Sequence, residues 1–170
     1  MFSTKIGILP QAAFLQAYAD QAGCFTDCYY VDVPKSVSIS ETISAFFTTP
    51  VFRLERVLLG IFARKPSTDQ DVENLASGRS TGLAFWRTER RDQTQLLLAV
   101  GDGPIRTWLM VEPANTAQAN TRIYFGSAVM PQGVSADGAP QIGLMFRAFL
   151  GFHMLYSRLL LTLARRRLLS

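Results

Sequence analysis

The spacing of apolar positions changes three times along the chain. Phe25 to Val33 carries the β-formers Tyr29, Tyr30, Val31 and Val33 and stops at Pro34, which predicts a strand. From Ser38 the spacing turns helical. Ser38 and Glu41 have the S-x-x-E spacing of a capping box, in which each side chain satisfies the other's orphan backbone donor. A helix is predicted from there to about Thr48, burying Ile39, Ile43, Phe46 and Phe47. Thr49-Pro50 breaks the chain and restarts it, because proline suits a first helical position whose N–H would have no partner. The second helix runs from Pro50 to about Ala63 and buries Val51, Leu54, Leu58 and Ile61. Lys65-Pro66 ends it. Ser67 or Thr68 then caps a short third helix through Asp71 to Ala76, closed by Gly78.

After Gly78 the period becomes two. Thr81 to Arg91, Gln95 to Val100, Ile105 to Val111 and Thr121 to Met130 read as successive strands. Gly101-Asp102-Gly103-Pro104 marks a tight hairpin turn, Pro113 to Asn120 a longer polar connection, and Pro131 to Pro140 a Gly/Pro-rich loop. One long helix, Gln141 to about Arg167, closes the chain. Its stripe is Met145, Phe149, Phe152, Tyr156, Leu159 and Leu163, with Phe149 and Phe152 expected among the most buried residues. Residues 1–23 are weakly patterned, and Pro10 can start a short helix over Gln11 to Tyr18. The order of strand, three helices, four strands and long helix implies an α+β fold, with an antiparallel meander covered by the terminal helix, in one domain over residues 1–170.

Composition narrows the function classes. The chain has 170 residues, 48% hydrophobic and 18% charged, enough to bury roughly 70% of its unfolded surface and too apolar for disorder. A single histidine, His153, and two cysteines, Cys24 and Cys28, rule out zinc fingers, His-rich metal centres and a disulfide scaffold. The net charge is +4, but Arg165, Arg166 and Arg167 supply three of those charges, so the body is near neutral and nucleic acid is not an expected partner. Met1 to Pro10 lacks the form of a signal peptide, so cytoplasmic residence with reduced cysteines is expected. Gly143 to Ala164 is apolar but interrupted by Arg147, His153 and Arg158. Two arginines near mid-span would each cost about 2.5–3.5 kcal/mol, so a buried helix is expected rather than a membrane span.

Four phrases carry a resemblance: Thr48-Thr49-Pro50-Val51-Phe52-Arg53-Leu54-Glu55-Arg56, Arg106-Thr107-Trp108-Leu109, Thr121-Arg122-Ile123-Tyr124-Phe125-Gly126-Ser127, and Phe152-His153-Met154-Leu155-Tyr156-Ser157-Arg158. With the element order, they resemble an uncharacterised bacterial family associated with the START/Bet v 1-like (SRPBCC) helix-grip superfamily. That resemblance implies a curved antiparallel sheet wrapped around the C-terminal helix. It also implies a cavity between them, used to carry apolar ligands or to catalyse cyclisation or hydrolysis. The chain shows fewer strands than the superfamily's usual six or so, and a strand within Lys5 to Leu9 would repair part of that.

Candidate site residues follow from position. His153 falls at the edge of the helical stripe. It is either a partly buried histidine bonded to a backbone carbonyl, or a polar anchor or proton donor facing the cavity. Tyr156 lies within the stripe and can offer a phenol to the same space. Trp108 and Tyr124 share a sheet face with Arg106, Arg122 and Glu112. That face is either a cross-strand salt-bridged surface or an aromatic wall with a charged rim for an acidic ligand. Arg53, Glu55 and Arg56, and likewise Asp69, Asp71 and Glu73, read as solvated helix faces. Leu150, Met154 and Leu161 lie opposite the stripe, where they are covered by other helices or serve homodimerisation or membrane-surface contact. No GxGxxG, P-loop, HExxH or GxSxG occurs, and no cofactor or metal is expected. The expected function is binding of a small apolar or amphipathic ligand, with Trp86, Trp108, Tyr124, Phe149, His153 and Tyr156 as site residues. The alternatives are an enzyme on such a ligand, with His153 as acid/base, and a ligand-free interaction module.

Overall fold

The structure is a computed structural model and describes residues 4–62, 64–116 and 118–170. Its elements are β1 (Lys5–Ile6), α1 (Gln16–Ala19), β2 (Phe25–Val33), α2 (Ile39–Phe47), α3 (Pro50–Phe62), α4 (Asp69–Ala76), β3 (Gly82–Leu83), β4 (Trp86–Arg91), β5 (Gln95–Val100), β6 (Ile105–Thr116), β7 (Ala119–Val129), β8 (Gly133–Val134), β9 (Pro140–Gln141) and α5 (Leu144–Leu169). Seven strands form one antiparallel sheet in the order β1-β2-β7-β6-β5-β4-β3, so the first long strand pairs with the last. Helices α2 to α4 fill the connection between β2 and β3, and α5 packs on β2 and α2. The α+β arrangement is the one the element order predicts, and it is consistent with helix-grip topology.

Strand alternation gives the sheet two covered faces. The inner face, with Tyr29, Val31, Leu98, Leu109, Ile123 and Phe125, packs on Ile43, Phe46 and Phe47 of α2 and on Leu160 and Leu161 of α5. The outer face, with Cys28, Leu97, Trp108, Met110 and Tyr124, is covered by Ala13, Phe14, Leu15 and Tyr18. The buried Gln95 amide pins this cover. Its Oε1 accepts from the Phe14 N–H at 2.9 Å and from Trp108 Nε1 at 3.0 Å, and its Nε2 donates to the Ala12 carbonyl at 3.0 Å. Gly126 permits the close approach, since a Cβ there would stand 2.9 Å from Leu15 Cδ2 and 2.6 Å from the Asp27 carbonyl. The N-terminal stretch is thus held by a few anchors rather than by a periodic face, so its pattern in the sequence is weak.

Local signals behave as read at α2 and α4. The Ser38–Glu41 capping box forms, Thr68 rather than Ser67 caps α4 with a reciprocal bond to Asp71, and Gly78 closes α4 at φ +77°. Elsewhere the chain departs from expectation. Strand β1 does fall within Lys5 to Leu9, as the strand count suggests, but the nearby helix is only Gln16–Ala19, not Gln11 to Tyr18. The stretch 81–91 is two strands, turned at Ala84-Phe85. Ala84 sits at φ 52° without glycine, proline or asparagine to mark it. The polar Pro113–Asn120 stretch is strand rather than loop at both ends. A register irregularity between Pro113 and Thr116 accommodates the proline. The predicted helix end at Ala63 lies outside the described residues.

Two helices are rotated from their predicted faces. On α3, Leu54 and Leu58 are exposed, while Phe52 and Arg56 are buried; the side chain of Ile61 lies outside the described residues. The Arg56 guanidinium turns inward to bond the Asp69 carboxylate and the Thr68 carbonyl, fastening α3 to the start of α4. On α5, Phe149 and Phe152 are 60% and 66% exposed, contrary to expectation, and the side chain of Met145 lies outside the described residues. The buried residues are instead Ser157, Leu160, Leu161, Thr162, Ala164 and Leu168. Leu161, expected to point outward, is fully buried; Leu150 is half-buried and Met154 exposed. Apolar residues surround α5, so its polar groups choose the face. His153 pairs with Asp27, Tyr156 bonds Glu55, Arg165 Nε donates to the Asp32 carbonyl at 3.0 Å, and Thr162 bonds Thr4 at 2.7 Å. Among the described residues no helix is long and apolar enough to cross a membrane.

Candidate functional site

Helix α5 presents His153, Tyr156, Ser157 and Leu160 to the sheet, an i, i+3, i+4, i+7 set on one helical face. Between this face and the sheet lies a cavity of about 180 Å³. Its apolar wall is aromatic. Phe46 of α2 packs on Phe125 of β7 at 4.8 Å, and Phe52 of α3 packs on Trp86 of β4 at 5.1 Å between ring centroids. Ile105 and Thr107 of β6 and Ser127 of β7 complete the floor.

Two acid-containing pairs converge here. His153 Nε2 stands 3.0 Å from Asp27 Oδ2, and Asp27 Oδ1 accepts the Ser127 N–H at 2.8 Å. Asp27 and Ser127 are register partners of β2 and β7, so the ladder itself sets the carboxylate. Phe25 and Phe146 flank the imidazole, at 6.4 and 5.3 Å. With Nε2 engaged by Asp27, the ring nitrogen left for a ligand is Nδ1. The second pair joins the helices: the Tyr156 hydroxyl donates to the Glu55 carboxylate. Burial raises the Glu55 carboxyl above its ordinary range against the lowering effect of the Tyr156 bond, and burial beside Glu55 pushes the Tyr156 phenol up. Ser157 also lines the cavity; it is 1% exposed, and its Oγ has no hydrogen-bond partner. An unmet buried hydroxyl costs about 1–3 kcal/mol, which a ligand's polar group would recover.

No family model, curated protein or solved structure matches this chain. The site therefore has to be read from its own chemistry.

Of the residues expected from the sequence, the structure brings Trp86, His153 and Tyr156 into the cavity. Phe149 is exposed and outside it. Trp108 and Tyr124 lie on the opposite sheet face, because their strand parity is that of Cys28 rather than of Asp27. There Trp108 is spent on Gln95, Tyr124 donates to Glu112, and Arg122 grips Asp32 with two bonds of 2.7 and 3.0 Å. These charged groups are paired across strands, and beside them a pocket of about 390 Å³ is lined by Tyr30, Arg122 and Tyr124. His153 bonds a carboxylate, not a backbone carbonyl. Glu55 and Arg56 are not solvated: one lines the cavity and the other is buried. Asp27, Ser157 and Phe52 carry no site assignment from the sequence, and Glu55 is read there only as part of a solvated charge cluster. The usable signal is Asp27, a carboxylate third in a strand where aspartate is disfavoured.

Among the described residues no group of three or more His, Cys, Asp or Glu could hold a metal ion. A larger groove of about 630 Å³ runs along α2, α4 and the end of α5, lined by Lys35, Glu41, Asp69 and Arg167. Its mixed charges and open walls place no buried, unpaired polar group, so the chemistry points to the smaller cavity.

Proposed function

We propose that the protein binds a small amphipathic molecule, about one ring in size, between the sheet and α5. The single observation that carries this is the meeting of an aromatic wall with the Asp27–His153 and Glu55–Tyr156 pairs and the unpartnered Ser157 hydroxyl in one cavity. An apolar cavity of about 150 Å³ can hold benzene, so about 180 Å³ suits a six-membered ring with a short polar substituent. Drug-sized ligands need about 300–1,000 Å³, so a fatty acid or sterol does not fit without rearrangement. The ring lies against Phe52, Phe125 and Trp86, and its polar end meets Ser157 Oγ and His153 Nδ1. Isothermal titration of phenols, benzoates and cyclic ketones tests this. The expected result is saturable binding for at least one single-ring class, weakened by Phe52→Ala.

A second reading is favoured by one observation, the Asp27–His153 pair. A carboxylate behind an imidazole fixes its tautomer and orientation, an arrangement that a general base uses. On this reading the chain is an enzyme acting on the same ligand. The two readings separate at His153→Gln. An anchor loses about 0.5–1.5 kcal/mol of binding, whereas a proton-transfer group loses roughly 10²–10⁴-fold in rate with binding nearly intact.

A further inference from the structure

Among the described residues, twelve large apolar side chains are exposed, and nine of them lie on α3 and α5. Leu54, Val57 and Leu58 form a stripe on α3, while Leu144, Phe149, Phe152 and Leu155 lie on the first three turns of α5. The two sets are joined, since Phe152 stacks on Tyr156 at 5.8 Å and 18° and Tyr156 bonds Glu55 of α3. The same two helices carry the chain's positive charge. Seven of the 17 basic residues and one of the 13 acidic residues lie on them, although Arg56 is buried and Arg165, Arg166 and Arg167 lie at the far end of α5. The one acid on these helices, Glu55, is turned inward onto Tyr156; Arg53 is exposed but paired with Asp69 of α4, and Arg147 is exposed among the apolar side chains.

We propose that this face, the outer sides of α3 and the N-terminal half of α5, docks on the surface of an anionic lipid bilayer. A helix with aromatic and leucine side chains on one side and arginines beside them lies in the headgroup plane, held by apolar insertion and by attraction to anionic lipid. A second copy of this chain is a poor occupant, because a symmetric contact would set the arginines of α5 against one another. Docking puts the cavity wall formed by Tyr156 directly behind the lipid-facing Phe152. The inference does not depend on what the cavity binds.

The test is flotation of the full chain with vesicles of pure phosphatidylcholine and of phosphatidylcholine with 30% phosphatidylglycerol. Binding is expected to the second and to fall by about tenfold or more in Phe149→Ser/Phe152→Ser and in Arg147→Glu. It should also weaken in 0.5 M salt. Ile6→Ser/Ile8→Ser, which removes exposed apolar groups elsewhere, is expected to bind as the parent does. Failure to float with anionic vesicles overturns the proposal. So does undiminished binding of the double serine variant, which would assign attachment to Arg165–Arg167 alone. A solution dimer that protects Phe152 from solvent overturns it in favour of a second copy.

Discussion

The rotation of α5 makes a sharp energetic prediction, because two large apolar residues nine positions apart exchange the roles that the sequence pattern assigns them. Leu161 is fully buried, and Phe152 is 66% exposed. Leu161→Ala removes a fully packed side chain and leaves a cavity, and such changes cost about 2.7–5 kcal/mol. Phe152→Ala removes a ring of which about one third is covered. If a buried phenylalanine covers about 150–250 Å², a third at 25 cal/mol/Å² is worth about 1–2 kcal/mol as an upper limit. Alanine also gains roughly 0.5 kcal/mol of helix propensity, so about 1 kcal/mol remains. Urea unfolding of both variants, read by circular dichroism with unchanged slopes, is the assay. Leu161→Ala should lose at least twice as much stability as Phe152→Ala. The reverse order would restore the stripe of Phe149 and Phe152 and refute the packing of α5 described above.

Three further predictions follow the buried polar groups. Glu55 has a raised pKa in the fold, so the native state holds its proton to higher pH than the unfolded chain does; stability should fall as pH rises through the window above the ordinary carboxylate value of 4.5. Glu55→Gln should flatten that part of the melting-temperature profile, and an unchanged slope would reject the assignment. Gln95→Leu leaves the Phe14 N–H and Trp108 Nε1 without an acceptor and should cost about 1–3 kcal/mol per group, with faster amide exchange over residues 12–18. Asp69→Asn weakens the partner of the buried Arg56 guanidinium, and a loss of about 1–3 kcal/mol is expected by thermal denaturation.

How much of this was legible depends on how far apart the deciding residues stand. The strand Phe25–Val33 and the two capped helices depend on neighbours within a few positions, and they form where the pattern places them. The face of α5 does not. Its helix is apolar on all sides, so periodicity offers several equivalent stripes, and the choice is made by His153 with Asp27, 126 positions away, and by Tyr156 with Glu55, 101 away. Sheet parity was legible in sequence, but which face would meet α5 was not. Trp108 and Trp86 therefore looked equivalent although they stand on opposite sides. His153 was found because it is the only imidazole, whereas Asp27 and Glu55 were masked by the ordinary expectation that carboxylates are solvated.

The most direct measurement of the central claim uses Trp86, whose ring lines the cavity. Trp108→Phe leaves it as the only indole in the chain. Titration of that variant with phenol, benzoate, cyclohexanone and palmitate, followed by indole fluorescence, should give a saturable shift with a single-ring compound. His153→Gln should weaken that binding by about 0.5–1.5 kcal/mol, and palmitate should give no shift. Absence of any saturable change with the single-ring compounds, or a shift with palmitate alone, would contradict the proposed one-ring site.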